Sequence, residues 1–359
     1  MTGTDEGPGG DDAPRFSPER LSALATVGGV VAIVLVVVAA NLLGRLGGDE
    51  VVVPPAAASS PEPRRIPADQ LATMDAEEIA EAGLEDRGAI APQRVPTGAQ
   101  SLARAAEKAA GDQPYSFRLT TFNILGSQHS APGGAAQRFA PGRIRTEWAA
   151  NLIGAYGSDI VGFQEIQADQ LATMNRATGG RFEFWPGTSM GGRGVPQNLM
   201  WRSSVWTATF KGSITIPFMG STRPQPVVRL QHLATGREIY VMNVHNSPRD
   251  RHGREDERDR ATEIEIAAIK ELRKDGIPVF AIGDFNEHDE IFCRMTSRTD
   301  LRAANGGSNS GGCRPPRPMR VDWIFGSSDV VFSRFLMDTG PQVRRITDHA
   351  VLSTTVSVP

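Results

Sequence analysis

The sequence predicts an α/β fold for residues 113–359, and two observations support this prediction. Short apolar runs typical of buried strands alternate with longer segments typical of helices throughout this part of the chain. These runs also end on polar residues, most clearly where the apolar residues 279–282 lead into Asp284 and Asn286. Because α/β proteins bind ligands at the carboxyl ends of their strands, this pattern predicts a site at one edge of a sheet.

Asp284 and Asn286 lie two positions apart, so they point to the same side of an extended chain. One carboxylate and one amide can then address a single bound group. A strand followed by an Asx turn is the alternative interpretation of this stretch taken alone.

Six further predicted strands also begin or end on polar residues. These residues are Asn123, Glu165, Asn198, Asn243 with His245, Asp322, and Asp348 with His349. Core packing alone does not explain polar residues at so many strand ends.

Each of these residues also has a structural interpretation. Asn123 and Asn198 can cap turns, and His245 can be a hydrogen-bonded histidine of the core. Asp322 and His349 can form a purely structural pair.

The chain of 359 residues divides by composition into an acidic leader and a mildly basic body. Residues 1–112 contain 9 Lys+Arg and 17 Asp+Glu, whereas residues 113–359 contain 29 and 24, for net charges of −8 and +5. Residues 1–20 are rich in Gly, Asp and Pro, which predicts a disordered cytoplasmic tail. The composition of residues 44–112 predicts a linker or stalk that is extended at first and then partly helical.

Residues 21–43 form an uncharged run of mainly Val, Leu, Ile and Ala between Arg20 and Arg45. At about 1.5 Å per residue, a helix of this length reaches about 34 Å, so we predict a single transmembrane helix. A cleavable signal peptide is the alternative, with residues 56–58 as the cleavage site, although they lie well past the run.

The flanking charges and the cysteines indicate the orientation of this helix. Arg15 and Arg20 precede it and Arg45 follows it, which favours a cytoplasmic N-terminus. Cys293 and Cys313 bracket a Gly-rich loop, and a disulfide between them would stabilise the fold by about 3 kcal/mol in an oxidising compartment. Two free buried thiols are the alternative. We therefore expect a single-pass protein of the cell membrane with its body outside the cytoplasm.

The order of the polar strand ends resembles the endonuclease/exonuclease/phosphatase superfamily, the DNase I-like fold. The motifs are Thr121-Phe-Asn123, Gln164-Glu165, Asn243-Val-His245, Gly283-Asp284-Phe-Asn286, Asp322-Trp-Ile and Asp348-His349. Each motif is weak alone, but six in order are a specific signal, and together they span about residues 115–357. The resemblance implies a four-layer α/β sandwich, in which two mixed sheets pack face to face with helices outside.

The resemblance also implies a phosphoester hydrolase that uses Mg²⁺, or Mn²⁺ in its place. It places Glu165 and Asn123 in the metal shell, with Asp348 near or on the metal ion. Because Mg²⁺ binds carboxylate oxygen and retains several waters, a single carboxylate ligand is enough to hold it. We assign this ligand to Glu165.

Five residues carry the implied catalytic roles. Asp284 orients or deprotonates the attacking water, and Asn286 donates a hydrogen bond to the phosphate. His349, held by Asp322, contacts the phosphate as a cation or transfers a proton, with His245 on the opposite side. Which histidine is the acid and which is the base remains open at this point.

Substrate contacts are predicted at Asn198 and in the proline-rich segment before Asp322. That segment carries Arg314, Arg317 and Arg320 without an acidic residue between them, and Cys313 tethers it. Among the remaining histidines, His129 is the one placed to line the pocket.

The predicted substrate is a phosphodiester, with nucleic acid favoured over phospholipid or inositol phosphate. A net charge of +5 on the body permits nucleic-acid binding, while an aromatic content of 6% gives no clear stacking platform. A lipid or inositol-phosphate phosphoesterase is the alternative. A catalytically inactive binding module is disfavoured because the set of site residues is complete. We infer no protein partner.

Overall fold

This computed structural model describes Gly111 and residues 113–359. The predicted tail (1–20), the predicted membrane helix (21–43) and, apart from Gly111, the predicted stalk (44–112) lie outside the described residues. Among the described residues, no helix combines the length and the apolar character that crossing a membrane requires.

The strands of the described residues form two six-stranded sheets. In spatial order, the first sheet contains β11 (Val331–Asp338), β12 (Val351–Val358), β1 (Tyr115–Asn123), β2 (Ile160–Gln164), β4 (Asn198–Arg202) and β3 (Phe182–Trp185). The second contains β5 (Trp206–Phe218), β6 (Ser221–His232), β7 (Glu238–His245), β8 (Val279–Asp284), β10 (Asp322–Ser327) and β9 (Leu301–Ala303). Both sheets are mixed, because β1 is parallel to β2 and β7 is parallel to β8 among otherwise antiparallel pairs.

Helices lie between these strands along the chain. They are α1 (Ser127–Ser130), α2 (Gly142–Tyr156), α3 (Ala168–Ala177), α4 (Gly191–Gly194), α5 (Glu255–Arg273), α6 (Asp289–Arg298) and α7 (Pro341–Ile346). Helices α2, α3 and α7 pack on the outer face of the first sheet, and α5 and α6 pack on the outer face of the second. The inner faces of the sheets share one apolar core. The predicted four-layer sandwich is therefore confirmed for the described residues.

Strand β8 shows why its sequence is apolar without alternation. Phe280 and Ile282 point into the core between the sheets, whereas Val279 and Ala281 point to the core under α5 and α6. Successive side chains alternate between faces, and both faces are buried, so every position must be apolar. The continuous run that predicted this strand is the consequence.

A disulfide joins Cys293 of α6 to Cys313, with the two Cα atoms 5.5 Å apart. It tethers the segment that leads into β10 to the outer helix layer. The first residue of β10 is Asp322, so the bridge lies close in sequence to a predicted catalytic residue.

Candidate active site

Strand register brings the polar strand ends together. His245 of β7 lies beside Asp284 of β8 in parallel register, and Asp322 of β10 lies beside Asp284 in antiparallel register. In the other sheet, the last residue of β1, Asn123, lies beside Gln164 at the end of β2, and Glu165 follows directly. The predicted residues therefore collect at one edge of the sandwich.

Gly283 makes the close approach of β7 and β8 feasible. Its φ is +146°, and a Cβ atom at this position would lie 2.0 Å from the carbonyl oxygen of Val244. Real contacts of that length do not occur, so only glycine fits here. This glycine keeps Asp284 beside His245.

Asp284 lies between two histidines. Its Oδ2 atom is 3.5 Å from Nε2 of His245 and 3.7 Å from Nε2 of His349. On its far side, His349 places Nδ1 3.1 Å from both carboxylate oxygens of Asp322. The four side chains form a continuous row of alternating imidazole and carboxylate groups.

Asn123 connects this row to Glu165 on the other sheet. Its Nδ2 atom donates to Oδ2 of Asp284 and to Oε1 of Glu165, each at 3.1 Å. The same nitrogen lies 3.4 Å from Nε2 of His349. Its oxygen accepts the backbone N–H of Leu125 at 3.1 Å, which fixes the direction of the amide.

Burial and charge set the protonation states in the row. Burial raises the pKa of Asp284 to about 7, and the charge of His349 works against this shift. Burial alone would lower the pKa of His349, but the negative charges of Asp322 and Asp284 outweigh it and hold that pKa well above its usual value. His349 is therefore a cation at neutral pH, and Asp284 is poised between its two states.

His245 is the opposite case. Its complete burial lowers its pKa to about 3, so this imidazole is neutral. The side-chain nitrogen of Gln197, which can only donate, lies 3.4 Å from Nδ1 of His245. We assign the proton of the neutral imidazole to Nε2, because this atom faces the carboxylate of Asp284 at 3.5 Å.

Glu165 is held ionised at the opening of the site. Burial works to raise its pKa, but hydrogen bonds from His129, Asn123 and the backbone N–H of Gly126 hold that pKa well below the usual range. Its backbone adopts a left-handed φ of +64°, as do Leu125 at +57° and Asn286 at +54°. Such conformations are costly for residues other than glycine and concentrate at functional sites.

The donor atoms around Glu165 fit a hard divalent cation. Glu165 and Asp284 offer carboxylate oxygens on two sides of Asn123, and the carboxylate of Asp348 is exposed and near enough to raise the pKa of His349. Asn123 presents its nitrogen to these carboxylates, so a ligand role for its oxygen requires rotation of the amide. The metal roles of Glu165, Asn123 and Asp348 stay predictions.

Asn286 is brought to the same site by a tight turn. Its backbone N–H donates to Oδ1 of Asp284 at 3.0 Å, which is the Asx turn weighed as the alternative. Its Nδ2 atom donates to the carbonyl oxygen of Asn246 at 2.8 Å. The turn and a functional role are thus compatible, since one hydrogen of the amide remains free to donate.

Three of the residues predicted to contact the substrate have side-chain partners outside this cluster or lie in an exposed loop. Asn198 is buried, and its amide bonds only to backbone atoms of Gly187 and Val195. Arg317 is exposed and pairs with Asp289 at 3.0 Å, and Arg314 is exposed in the loop after Cys313. Their roles in substrate binding stay predictions.

Arg223 in β6 is a site residue that the sequence analysis missed. Its guanidinium lies 3.6 Å above the ring of Phe218, and that ring packs edge-on against His245. Burial lowers the pKa of Arg223 to about 10, while the charge of Glu165 opposes the shift, so the side chain remains a cation. Nothing local marks this arginine, because only the fold of the hairpin brings it to Glu165.

Arg145 of α2 is a second missed residue, and its role is positional. It is completely buried and donates to the carbonyl oxygens of Ile124 and Ile346, both at 2.8 Å. These carbonyls belong to the segments that follow Asn123 and precede Asp348. One cation thereby holds together two loops of the site.

Several solved structures share this fold. One is an endonuclease/exonuclease/phosphatase family protein from Bacteroides thetaiotaomicron, at 19% identity and a TM-score of 0.55, which covers 69% of this chain and 96% of that chain. A mannosyl-6-phosphatase from the same organism matches at 16% identity and a TM-score of 0.52, covering 67% and 99%. D. rerio TDP2 complexed with single-strand DNA product matches at 16% identity and a TM-score of 0.51, covering 67% and 98%. At these identities, the similarity shows the fold alone.

No curated protein matches this chain significantly in sequence. The family comparison is decisive, because residues 120–349, more than half of the chain, match the Endonuclease/Exonuclease/phosphatase family. The matched range begins within β1 and ends on His349, so it contains every residue of the row and Glu165. The chain belongs to the Endonuclease/Exonuclease/phosphatase family, a family of phosphoester hydrolases.

Proposed function

We propose that this protein is a divalent-metal-dependent phosphodiesterase with nucleic acid as its favoured substrate. The observation that carries the proposal is the row of His245, Asp284, His349 and Asp322 facing Glu165 across Asn123. This arrangement brings together a base whose pKa lies near neutrality, a positively charged acid and an ionised carboxylate that can bind a metal ion.

Asp284 is the base in this proposal, and His349 is the acid. A base works best when its pKa lies near the working pH, and burial brings the pKa of Asp284 to about 7. His349 carries a proton on Nε2 that Asp322 stabilises from Nδ1, and this proton can pass to the leaving oxygen. Neutral His245 donates from Nε2 toward Asp284 and orients its carboxylate.

Glu165 would hold the metal ion, with Asp348 at its exposed side and Asn123 beside it. A bound Mg²⁺ or Mn²⁺ supplies Lewis-acid stabilisation of charge on the phosphoryl oxygens. Arg223 adds a fixed cation on the same side as Glu165, and it can form two parallel hydrogen bonds to a phosphate. Asn286 has one amide hydrogen left for the same group.

The preference for nucleic acid rests on charge and on resemblance. The net charge of +5 on residues 113–359 favours a polyanion, and D. rerio TDP2 supplies a precedent on this fold because its structure holds a single-strand DNA product. A phosphomonoesterase is the second candidate, because a mannosyl-6-phosphatase shares the fold. Phospholipids and inositol phosphates remain the further alternatives to test.

We further propose that residues 21–43 tether the enzyme to the cell membrane with its active site outside the cytoplasm. The proposal rests on the length and the uncharged character of this run and on the flanking arginines. Membrane fractionation and protease accessibility of the body in intact cells test it. Recovery of the full chain in the soluble fraction would contradict the tether without affecting the proposed chemistry.

Hydrolysis assays test the proposed reaction. The full chain is assayed with Mg²⁺ or Mn²⁺ on plasmid DNA, bis-p-nitrophenyl phosphate, p-nitrophenyl phosphate, inositol phosphates and sphingomyelin. We expect cleavage of DNA and the diester, and we expect Glu165→Ala and His349→Ala to abolish it. Cleavage of a monoester or lipid alone would reject the nucleic-acid preference, and cleavage unaffected by either substitution would reject the site. Absence of all cleavage would favour a binding module.

A further inference from the structure

A second polar cluster lies buried behind the active site. It consists of Arg258, Thr262 and Glu265 on α5, Asn246 after β7, and Glu287 after β8. We call it the Glu265 cluster. The α5 residues follow one another at four- and three-residue spacing and therefore share one face of the helix. All five are nearly inaccessible, and Glu287 is the most exposed at 6%.

The protein leaves most polar atoms of this cluster without a hydrogen-bond partner. These atoms are both carboxylate oxygens of Glu265 and of Glu287, both amide atoms of Asn246, and Oγ1 of Thr262. Buried polar groups are normally paired, and each unpaired one costs roughly 1–3 kcal/mol, or more if charged. Such a concentration in one place points to a partner other than the polypeptide.

Three of the unpartnered side chains, those of Asn246, Glu265 and Glu287, lie close together. The amide of Asn246 lies within hydrogen-bonding range of the Glu265 carboxyl, although without good hydrogen-bond geometry, and Glu287 is close enough to Glu265 to raise its pKa. Burial, the largest cause, and this neighbouring charge together raise the pKa of Glu265 to about 8. Two carboxyl groups thus share one buried region with an amide.

Arg258 does not balance this charge. Its Nε atom is 3.4 Å from Glu287, while its other nitrogens bind Glu255 and the carbonyl oxygen of Ser247. One guanidinium therefore serves two carboxylates and leaves Glu265 unpaired. The cluster keeps a negative charge whenever Glu265 and Glu287 are both ionised.

We propose that the Glu265 cluster is a second cation site, which binds one hard divalent ion apart from the catalytic metal. Its ligands are the carboxylates of Glu265 and Glu287, Oδ1 of Asn246 and Oγ1 of Thr262. These six oxygens are all buried and accept no hydrogen bond, and Arg258 contacts only Glu287 among them. Oxygen ligands of this kind and number suit Ca²⁺ better than Mg²⁺, which prefers to keep its waters. No sulfur or imidazole donor belongs to the cluster, so soft metal ions are disfavoured.

An ion in this site would stabilise the turn that contains Asp284 and Asn286. The carbonyl oxygen of Asn246 accepts a hydrogen bond from Asn286 at 2.8 Å, and the backbone N–H of Asn246 donates to the carbonyl oxygen of Asp284 at 2.9 Å. Glu287 follows Asn286 directly in the chain. An ion bound to Asn246 and Glu287 would hold both loops at the distance that keeps Asp284 and Asn286 in place.

Counting bound ions tests this proposal without relying on hydrolysis. The full chain and its variants are equilibrated with Ca²⁺ alone, and bound metal is measured by equilibrium dialysis and elemental analysis. We expect Glu265→Gln to bind one Ca²⁺ fewer than the wild type. We also expect the Glu165→Ala/Glu265→Gln double variant to bind one fewer than Glu165→Ala, which separates this site from the proposed catalytic one.

Three further measurements sharpen the result. Ca²⁺ binding should release a proton at pH 7 from the wild type and not from Glu265→Gln, because the metal ion displaces the proton on Glu265. Thr262→Val removes one ligand at equal volume and should weaken Ca²⁺ binding about tenfold, or about 1.4 kcal/mol. Glu271→Gln, an exposed acid of the same helix, is the matched control and should change nothing.

Equal Ca²⁺ counts in the wild type and Glu265→Gln would overturn the proposal. That result would mean that a proton on Glu265, and not a metal ion, neutralises the cluster. Because Glu265→Gln has the shape of the protonated acid, it should fold, and its folding is checked by circular dichroism before the counts are compared.

Discussion

Both carboxylate oxygens of Asp322 lie 3.1 Å from Nδ1 of His349. This buried carboxylate keeps the imidazole charged and directs its other nitrogen toward Asp284. The pair spans two sheets, because Asp322 begins β10 in one and His349 precedes β12 in the other. The acid of the proposed reaction therefore depends on the packing of the two sheets.

Asp322→Asn should remove the charge that raises the pKa of His349. The protonated fraction of His349 falls at neutral pH, so kcat should drop by about 10² to 10⁴ fold. The alkaline limb of the pH–rate profile should move to lower pH, because the acid now loses its proton earlier. Profiles for DNA and for bis-p-nitrophenyl phosphate check this, and the defect should be larger for DNA, whose alkoxide leaves less readily. Equal defects and an unmoved limb would contradict the role of His349 as acid.

Arg223→Ala should raise KM about tenfold with a smaller change in kcat, because in the proposed reaction Arg223 would contact the phosphate in the ground state as well as in the transition state. The KM of Arg223→Lys should lie between those of the wild type and Arg223→Ala, since lysine keeps the charge but not the planar pair of donors. Arg317→Ala is the comparison, and we expect a change below about twofold because Arg317 is exposed and paired with Asp289. The reverse ranking would favour the substrate role predicted for Arg314 and Arg317.

Loss of the disulfide should lower the free energy of unfolding. The bridge closes a loop between positions 20 residues apart, which is worth about 3 kcal/mol in the chain-entropy model. The Cys293→Ser/Cys313→Ser double variant is compared with the wild type by urea unfolding of the full chain. Reductant should produce the same loss in the wild type and none in the variant. A wild type that is indifferent to reductant would contradict the prediction.

Metal-free protein should lose stability as the pH rises because of Glu265. Burial raises its pKa from 4.5 to about 8, so the folded state holds a proton that the unfolded state releases between these values. The contribution is fully present below pH 4.5 and declines at about 1.4 kcal/mol per pH unit until about pH 8.

Urea unfolding in chelator at several pH values between 5 and 8 measures this slope. The Glu265→Gln variant carries no such proton, so its stability relative to the wild type should increase with pH. Glu271→Gln should follow the wild type. Parallel curves for Glu265→Gln and the wild type would show that Glu265 does not titrate in this range.

Much of the site was predictable because its residues occupy strand ends. Glu165, Asp284 and His349 each adjoin an apolar run, and the order of such local patterns along the chain identified the family before any contact was known. The two-sheet sandwich was implied by that resemblance, and the apolar runs agree with it, since strands such as β8 are buried on both faces.

The hairpin of β5 and β6 was harder to predict. Pro217, Pro224 and Pro226 lie within its strands, and proline normally counts against a strand. Arg223 lies in this hairpin, so missing the hairpin also concealed a cation that lies close enough to Glu165 to feel its charge.

The sequence by itself determined the chemical groups of the site and their order along the chain. Only the tertiary structure decided their protonation, because the pKa values of Asp284, His245 and His349 depend on burial and on charges far away in sequence. It also decided which buried polar atoms find partners, as at Glu265, which looks in sequence like one of several acids on a solvated helix. The sequence specifies the chemistry of each side chain, whereas desolvation and pairing depend on how the folded chain packs.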